Sequence, residues 1–128
     1  TRRAGSSDCF NGGSVGYRNE MKTNLLGVPA ALLAEFGAVS LPVVEQMTSG
    51  AMQACAAQAA IAVSGVAGPG GGSPEKPVGT VCLAVALQTG AMNESRIISR
   101  TEHFKGDREA VRRQAALRGL EMLNGLLG

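Results

Sequence analysis

Residues 64–81 read SGVAGPGGGSPEKPVGTV, a stretch rich in glycine and proline that separates two apolar runs. The first run, AAIAVS at 59–64, is short and ends at Gly65, and the second, VGTVCLAVAL at 78–87, follows the loop. Such runs are typical of strands that are buried on both faces. Parallel neighbours need a crossover of about a dozen residues, normally a helix, which a loop so rich in proline and glycine cannot form. We therefore expect a mixed sheet rather than an all-parallel one.

Further strands and helices are predicted on both sides of this stretch. SRIISRTEHF at 95–104 predicts a third strand, which forms an antiparallel hairpin with the second through QTGAMN. Ser40 as N-cap and Pro42 in the first turn predict a helix over residues 41–57. Asp107 is expected to cap a closing helix. Its buried stripe is predicted to comprise Val111, Ala115 or Ala116, Leu120, Leu123 and Leu127.

The first third of the chain predicts shorter, connecting elements. GGSVGYR at 12–18 predicts a short strand with Val15 and Tyr17 on one face. A short helix is expected to end at Gly27, and a second one to run from Pro29 to Gly37. Together the patterns predict an α/β protein, a three-layer α/β/α sandwich with a mixed central sheet.

Composition limits the classes of function. The chain has 128 residues, 45% of them hydrophobic, which is enough for one domain with a proper core over residues 1–128. A net charge of +2, no tryptophan and one tyrosine make a nucleic-acid partner unfavourable. Three cysteines without a CxxC spacing and a lone His103 predict neither a disulfide framework nor a metal site. No apolar run approaches the ~20 residues of a membrane span, so we expect a cytoplasmic protein.

The glycine loop matches neither of the common phosphate-binding motifs. Lys76 is preceded by Glu75 and followed by Pro77, which breaks the pattern GxxxxGK[ST], and Ser73 occupies the last glycine position of GxGxxG. Successive glycines nevertheless let backbone N–H groups point into a concavity, which suits a phosphate or a developing oxyanion. An ordinary strand-to-strand connection is the alternative interpretation.

Three blocks of the chain carry a family likeness. SGVAGPGGGSPEKPVGTV, with GGSVGYRNEMKTNLLGV upstream and HFKGDREAVRRQA downstream, resembles the C-terminal domain of the competence/damage-inducible protein CinA. The resemblance implies hydrolysis of the carboxamide of nicotinamide mononucleotide to nicotinic acid mononucleotide and ammonia, a step in pyridine-nucleotide salvage. It also implies a serine-lysine amidohydrolase with neither metal nor cofactor, and the same three-layer fold.

The family's motifs supply candidate site residues. Its Y-x-N-E-x-K pattern falls on Tyr17, Asn19, Glu20 and Lys22, and of these Lys22 and Tyr17 are the catalytic candidates. Its glycine loop and its G-D-R-x-x-V-R pattern suggest substrate-binding residues, which are Gly65, Gly68, Gly71, Gly72, Ser73, Lys76, Arg108 and Arg112.

Two departures from the family are visible. Gly16 and Arg18 stand where the family usually has threonine and serine. The family's E-S-C-T-G-G motif, with the expected nucleophilic serine, would precede Gly5, so the chain is expected to lack the family's N-terminal segment. Either that serine lies upstream of Thr1, or the domain is catalytically incomplete. A non-catalytic nucleotide-binding or interaction domain is therefore the alternative function.

Each candidate also has a structural interpretation. Lys22 is expected either to act as general base or to be an ordinary surface lysine. Tyr17 is either a proton relay beside Lys22 or a core tyrosine. Arg108 and Arg112, four residues apart, share a helix face and repel one another unless an anion lies between them. Exposed sheet edges and an alanine-rich surface favour a homo-oligomer.

Overall fold

The computed structural model describes residues 2–90 and 94–128. After a single 3₁₀ turn at Ser6–Asp8, the described chain forms four helices and three strands. In chain order they are α1 (Asn19–Leu26), α2 (Ala30–Phe36), α3 (Leu41–Ala54), β1 (Ala59–Gly65), β2 (Thr80–Gln88), β3 (Ser95–His103) and α4 (Arg108–Leu127). None of these helices is both long and apolar enough to span a membrane.

The described strands form one antiparallel sheet in the order β1-β2-β3. In the β1–β2 pair Ala59 lies opposite Leu87, and in the β2–β3 pair Thr80 lies opposite His103. The prediction of a mixed sheet is wrong for these strands, because the glycine loop returns the chain directly beside β1. Part of the predicted hairpin turn, residues 91–93, lies outside the described residues.

The strand predicted at residues 12–18 does not form. This segment is irregular in the structure, and Val15 and Tyr17 are both largely exposed. Two alternating apolar side chains are a weak signal for a strand, and here neither side chain packs on an apolar surface. The other predicted strands and helices are confirmed to within about three residues at their ends, the accuracy expected of boundaries.

Helices pack on both faces of the sheet. Ala62, Cys82 and Ala84 point to the face covered by α1, α2 and α3. Val81, Leu83 and Val85 point to the opposite face, where α4 lies. The alternation follows from the pleat of a strand, which sends successive side chains to opposite faces. The small side chains face the layer of three short helices, and the larger ones face the single long helix.

The buried stripe of α4 differs from the prediction. Val111 and Ala115 are buried as expected, but Leu120 and Leu127 are exposed. The stripe continues instead through Gly119, Met122 and Leu126. The buried face of α4 is therefore rotated about the helix axis relative to the predicted one. Gly119 explains this rotation, since a Cβ atom there would lie 2.8 Å from the Ile61 Cγ2 atom of β1. The helix approaches the sheet closely at this glycine. A prediction from the spacing of apolar side chains does not include glycine and therefore misses this contact.

A second glycine sets the contact between α1 and α3. A Cβ atom on Gly50 of α3 would lie 1.8 Å from the carbonyl oxygen of Leu26, the last residue of α1. This separation is far below any real contact, and the obstacle is backbone rather than a flexible side chain. The two helices therefore require glycine at this position.

Replacing Gly50 by alanine should lower the free energy of unfolding by about 3 kcal/mol or more, since α1 and α3 must separate. Gly125→Ala, on α4, is the matched control, because its added methyl group meets nothing within 4 Å. That control should raise the stability by up to about 1 kcal/mol through helix propensity. Urea denaturation followed by circular dichroism measures both. Equal stabilities of the two variants would contradict the close contact.

Candidate functional site

A concavity of about 500 Å³ lies where the glycine loop meets the start of α4. Its lining residues are Ala67, Pro69, Val78, Gly106, Asp107, Arg108, Glu109 and Arg112. The loop can fold back on itself because several of its glycines have positive φ angles. At Gly68, where φ is +83°, a Cβ atom would also lie 2.5 Å from a methyl carbon of Val78, so any other residue would be strained and would have to displace that side chain.

Arg108 joins the loop to the helix. Its guanidinium Nη1 donates a hydrogen bond of 2.9 Å to the carbonyl oxygen of Gly68, forty positions earlier in the chain. Asp107 precedes it as N-cap, with a carboxylate oxygen accepting from the backbone N–H of Ala110 at 2.9 Å. The N-terminus of a 20-residue helix, with its partial positive charge, therefore borders the concavity.

Arg112 lies one turn further along the same wall. Its guanidinium contacts the Glu109 carboxylate at 3.1 Å, and Arg113 approaches the other oxygen of that carboxylate at 3.7 Å. The expected repulsion between Arg108 and Arg112 is thus reduced from within the protein, because Glu109 lies beside Arg112. The charged side chains of the wall sum to zero, so any preference for anions must come from the helix N-terminus and the placement of the guanidinium groups.

The loop also offers free backbone donors. Within the described chain, the N–H groups of Gly71 and Gly72 have no hydrogen-bond partner. Both residues are exposed and both have φ angles of +83°. These N–H groups can bind an anion without competition from protein acceptors.

Ser73 and Lys76 serve the loop itself. The Ser73 hydroxyl accepts from the Lys76 N–H at 3.0 Å, and the Ser73 N–H donates to the Lys76 carbonyl oxygen at 3.0 Å. The Lys76 Nζ atom donates to the carbonyl oxygen of Phe36 at 2.8 Å, at the C-terminus of α2. A cation is favourable there. Neither residue lines the concavity, although both were predicted to bind substrate.

Gly65 is the last residue of β1, and its role is packing. A Cβ atom there would lie 2.7 Å from a methyl carbon of Val81 and 2.9 Å from the Thr80 carbonyl oxygen. The glycine lets the loop leave the sheet close to β2.

Lys22 is buried, with 5% of its surface exposed. Its Nζ atom donates to the carbonyl oxygen of Gly16 at 2.6 Å and lies 3.4 Å from that of Tyr17. No carboxylate balances the ammonium among these contacts, and burial lowers the pKa of Lys22 below its usual value of 10.5. The side chain belongs to α1 and does not line the concavity.

Tyr17 contacts Lys22 through its backbone carbonyl and not through its phenol. The side chain is 83% exposed, and the described residues give its hydroxyl no hydrogen bond. In this structure the side chain of Tyr17 is therefore not part of the core, and its hydroxyl is not hydrogen-bonded to Lys22.

Sequence reasoning missed the carbonyl of Gly16 and the contact of Glu109 with Arg112. A backbone acceptor leaves no sequence signal, whereas the spacing of Glu109 to Arg112 and Arg113 is the ordinary ion-pair spacing of a helix. As for metals, residues 2–90 and 94–128 hold no cluster of three His, Cys, Asp or Glu side chains that would bind one.

The sequence and the fold are both similar to known proteins. The chain is 48% identical over 127 residues to a CinA-like protein of Mycolicibacterium gilvum, covering 99% of this chain and 29% of that protein. It is 53% identical over 123 residues to the nicotinamide-nucleotide amidohydrolase PncC of Pseudomonas putida, covering 96% of this chain and 73% of that protein. The chain thus spans under a third of the first relative and about three quarters of the second.

A solved structure shares the fold at high similarity. The competence damage-inducible protein A from Klebsiella pneumoniae superposes with a TM-score of 0.87 and 35% identity, over 98% of this chain and 74% of that one. The family model of the CinA C-terminal domain matches residues 1–127. With sequence, fold and family model in agreement, the chain belongs to the CinA C-terminal domain family.

Proposed function

We propose that the protein hydrolyses the carboxamide of nicotinamide mononucleotide to nicotinic acid mononucleotide and ammonia. The observation that carries this proposal is the 53% identity to the nicotinamide-nucleotide amidohydrolase PncC over 96% of the chain. A second PncC, from Escherichia coli, is 51% identical over 94% of the chain. The buried environment of Lys22 in the structure also supports amide hydrolysis.

Lys22 is assigned the role of general base for a serine nucleophile. A neutral amine has two N–H bonds and one lone pair. The carbonyl oxygens of Gly16 and Tyr17 can accept those two N–H bonds, which leaves the lone pair free to take a proton. Because burial lowers the pKa of Lys22, a larger fraction of the amine is neutral at physiological pH than for an exposed lysine.

The reaction then needs no metal. The serine oxygen attacks the carboxamide carbon while its proton passes to the Lys22 Nζ atom. That proton moves to the amide nitrogen as the C–N bond breaks and ammonia leaves, so an ester remains on the serine. A water molecule, deprotonated by the same amine, attacks the ester, releases the carboxylic acid and restores the serine hydroxyl.

The concavity at α4 is assigned to the phosphate of the substrate. The helix N-terminus supplies positive potential, and the Arg112 guanidinium lies in the lining as a donor. Gly71 and Gly72 lie outside the lining, in the same loop, and supply free N–H donors. Lys22 lies outside this lining, so the proposal requires the nucleotide to extend from the concavity toward α1. Arg108 contributes by holding Gly68, and hence the loop, against the helix.

Lys22→Met should abolish most of the activity while leaving the chain folded, since methionine fills a similar volume without the amine. We expect kcat to fall by roughly 10²- to 10⁴-fold, the usual contribution of a general base. Ammonia release from nicotinamide mononucleotide by the full natural protein is the measurement. Lys105→Met, at an exposed lysine, is the control and should keep full activity. Turnover retained by Lys22→Met would remove Lys22 as the base.

Arg112→Gln should selectively weaken turnover of the phosphorylated substrate. The ratio of kcat/KM for nicotinamide mononucleotide to that for nicotinamide riboside, which lacks the phosphate, should fall roughly three- to tenfold, less than a buried charged hydrogen bond would give. Arg113→Gln is the matched control, because Arg113 pairs with the same Glu109 but does not line the concavity. An unchanged ratio for Arg112→Gln would place the phosphate elsewhere.

The stability gained by Lys22→Met should depend on pH. Below the lowered folded-state pKa, Lys22 is charged in both states, and the burial of that charge destabilises the natural protein to its full extent. Between that pKa and about 10.4, the unfolded chain binds more protons, so the stability of the natural protein rises with pH. The variant should thus be more stable near neutrality, by a margin that shrinks as the pH approaches 10. Denaturation midpoints at several pH values measure this margin, and a margin that grows with pH would contradict it.

A further inference from the structure

Among the strands that the structure describes, β3 lies at the edge of the sheet, with one side unpaired. Its nine residues, Ser95–His103, pair with β2 in an unbroken register, and no strand of residues 2–90 or 94–128 pairs with its other side. The strand contains no proline and no bulge, and Ile97 and Ile98 remain 38% and 40% exposed. Proteins usually shorten, bend or cover such edges. This one is long, regular and partly apolar.

The backbone groups that face outward can be identified from the hydrogen bonds at both ends of the strand. The N–H of Phe104 donates to the Gly79 carbonyl oxygen, and the carbonyl oxygen of Glu94 accepts from the N–H of Thr89. In an antiparallel pair the direction alternates from residue to residue. Even-numbered residues of β3 therefore point their backbone groups to β2. The odd-numbered residues, including Ile97, Ser99 and Thr101, point them away from the sheet.

We propose that this edge pairs antiparallel with β3 of a second copy of the chain, about a twofold axis at Ser99. The two sheets would then form one continuous six-stranded sheet. A twofold axis that makes two edge strands antiparallel stands perpendicular to the sheet, so opposite residues lie on the same face. Only registers that pair even with even and odd with odd residues satisfy this symmetry.

Overlap and charge together favour one register. An axis at Ser99 pairs all nine residues of β3, whereas an axis at Ile97 or Thr101, which also places a glutamate opposite an arginine, pairs only five. On the α4 face, β3 carries Arg96, Ile98, Arg100 and Glu102 in succession. With the axis at Ser99, Arg96 lies opposite Glu102 of the second copy, and symmetry repeats this pair. With the axis at Ile98, Arg96 lies opposite Arg100, and with the axis at Arg100, two arginines lie opposite one another. Like charges directly opposite destabilise a sheet, whereas unlike charges stabilise it.

The two partners in the favoured register are available. Within the described chain, Arg96 makes no ion pair. Glu102 uses one carboxylate oxygen, Oε1, for both Arg100 and Arg118, which leaves Oε2 without a partner among the described residues. In this register Arg96 and Glu102 of the second copy occupy a non-hydrogen-bonded position of the antiparallel pair. At such positions the side chains of opposite residues lie closest to one another.

A groove beside β3 also fits a second copy. It has a volume of about 330 Å³, lies between β3 and α4, and includes Ile98, Glu121 and Met122 in its lining. Arg100 of the second copy lies opposite Ile98 in the proposed register, beside the groove that Glu121 also lines, and Glu121 itself pairs with Arg118 at 3.3 Å. β1, the other edge of the sheet, has no charged side chain in AAIAVSG, so no ion pair would fix a register there.

Disulfide cross-linking tests both the interface and its register. In the proposed dimer, the Cα atoms of Ser99 and its symmetry mate lie about 5.5 Å apart, within the range that a disulfide spans. Ser95 lies opposite His103 of the second copy, and its own symmetry mate is roughly 27 Å away, eight residues at about 3.4 Å each. In the full natural protein carrying Cys9→Ser, and with any cysteine outside residues 1–128 also replaced by serine, Ser99→Cys should cross-link on mild oxidation and Ser95→Cys should not. Cys9 is the exposed thiol of the described residues.

Charge reversal gives the second arm of the test. Arg96→Glu should slow cross-linking of the Ser99→Cys protein at least tenfold, and Arg113→Glu, with the same charge change on α4, should leave it unchanged. Sedimentation of the otherwise natural protein gives the same comparison without added cysteines, where Arg96→Glu should raise the dimer dissociation constant at least tenfold. A natural protein that sediments as a monomer, or equal cross-linking of Ser99→Cys and Ser95→Cys, would overturn the proposal.

Discussion

The structure depends on the burial of β2 from every side. Its two edges are hydrogen-bonded to β1 and β3, and its two faces are covered by different helices. The residues alternate in size as well as in direction, with Cys82 and Ala84 toward the short helices and Leu83 and Val85 toward α4. The small side chains leave room for α3 to lie close to the sheet. The larger ones fill the space under a helix that itself contributes alanine and glycine to the contact.

The glycine loop connects these two layers at one end of the sheet. Lys76 holds it to the C-terminus of α2 on one side, and Arg108 holds it to the N-terminus of α4 on the other. Both contacts use backbone carbonyl oxygens as acceptors, so a flexible segment is fixed by two charged side chains without any ion pair. This arrangement leaves the amides of Gly71 and Gly72 unused. The loop is therefore positioned by groups that are separate from those offered to a ligand.

Much of this fold could be predicted because its signals are local. Apolar runs gave β1 and β2, and Ser40 and Asp107 marked the starts of α3 and α4. The failures came from longer-range contacts. Gly119 rotates the buried stripe of α4 because Ile61 lies against it, and no pattern within α4 contains that information. Segment 12–18 alternates like a strand but finds no apolar surface to cover.

The candidate site was only partly predictable for the same reason. The family motifs identify Lys22 and Arg108, but their partners are backbone oxygens of Gly16 and Gly68, which every residue type possesses. Lys76 was assigned to substrate from its place in the loop, whereas its ammonium group caps another helix. The sequence therefore identifies the charged donors, but not the backbone carbonyl oxygens that accept from them, because those partners are set by the fold.

The exposed phenol of Tyr17 has a consequence for spectroscopy. It belongs to the only tyrosine of a chain that has no tryptophan, so a single fluorophore dominates the intrinsic emission near 300 nm. That fluorophore is attached to the residue whose carbonyl faces the Lys22 ammonium. Residues 1–128 thus contain one fluorophore, next to Lys22 and in a segment with no regular secondary structure, so the emission of this chain reports on that segment rather than on the core.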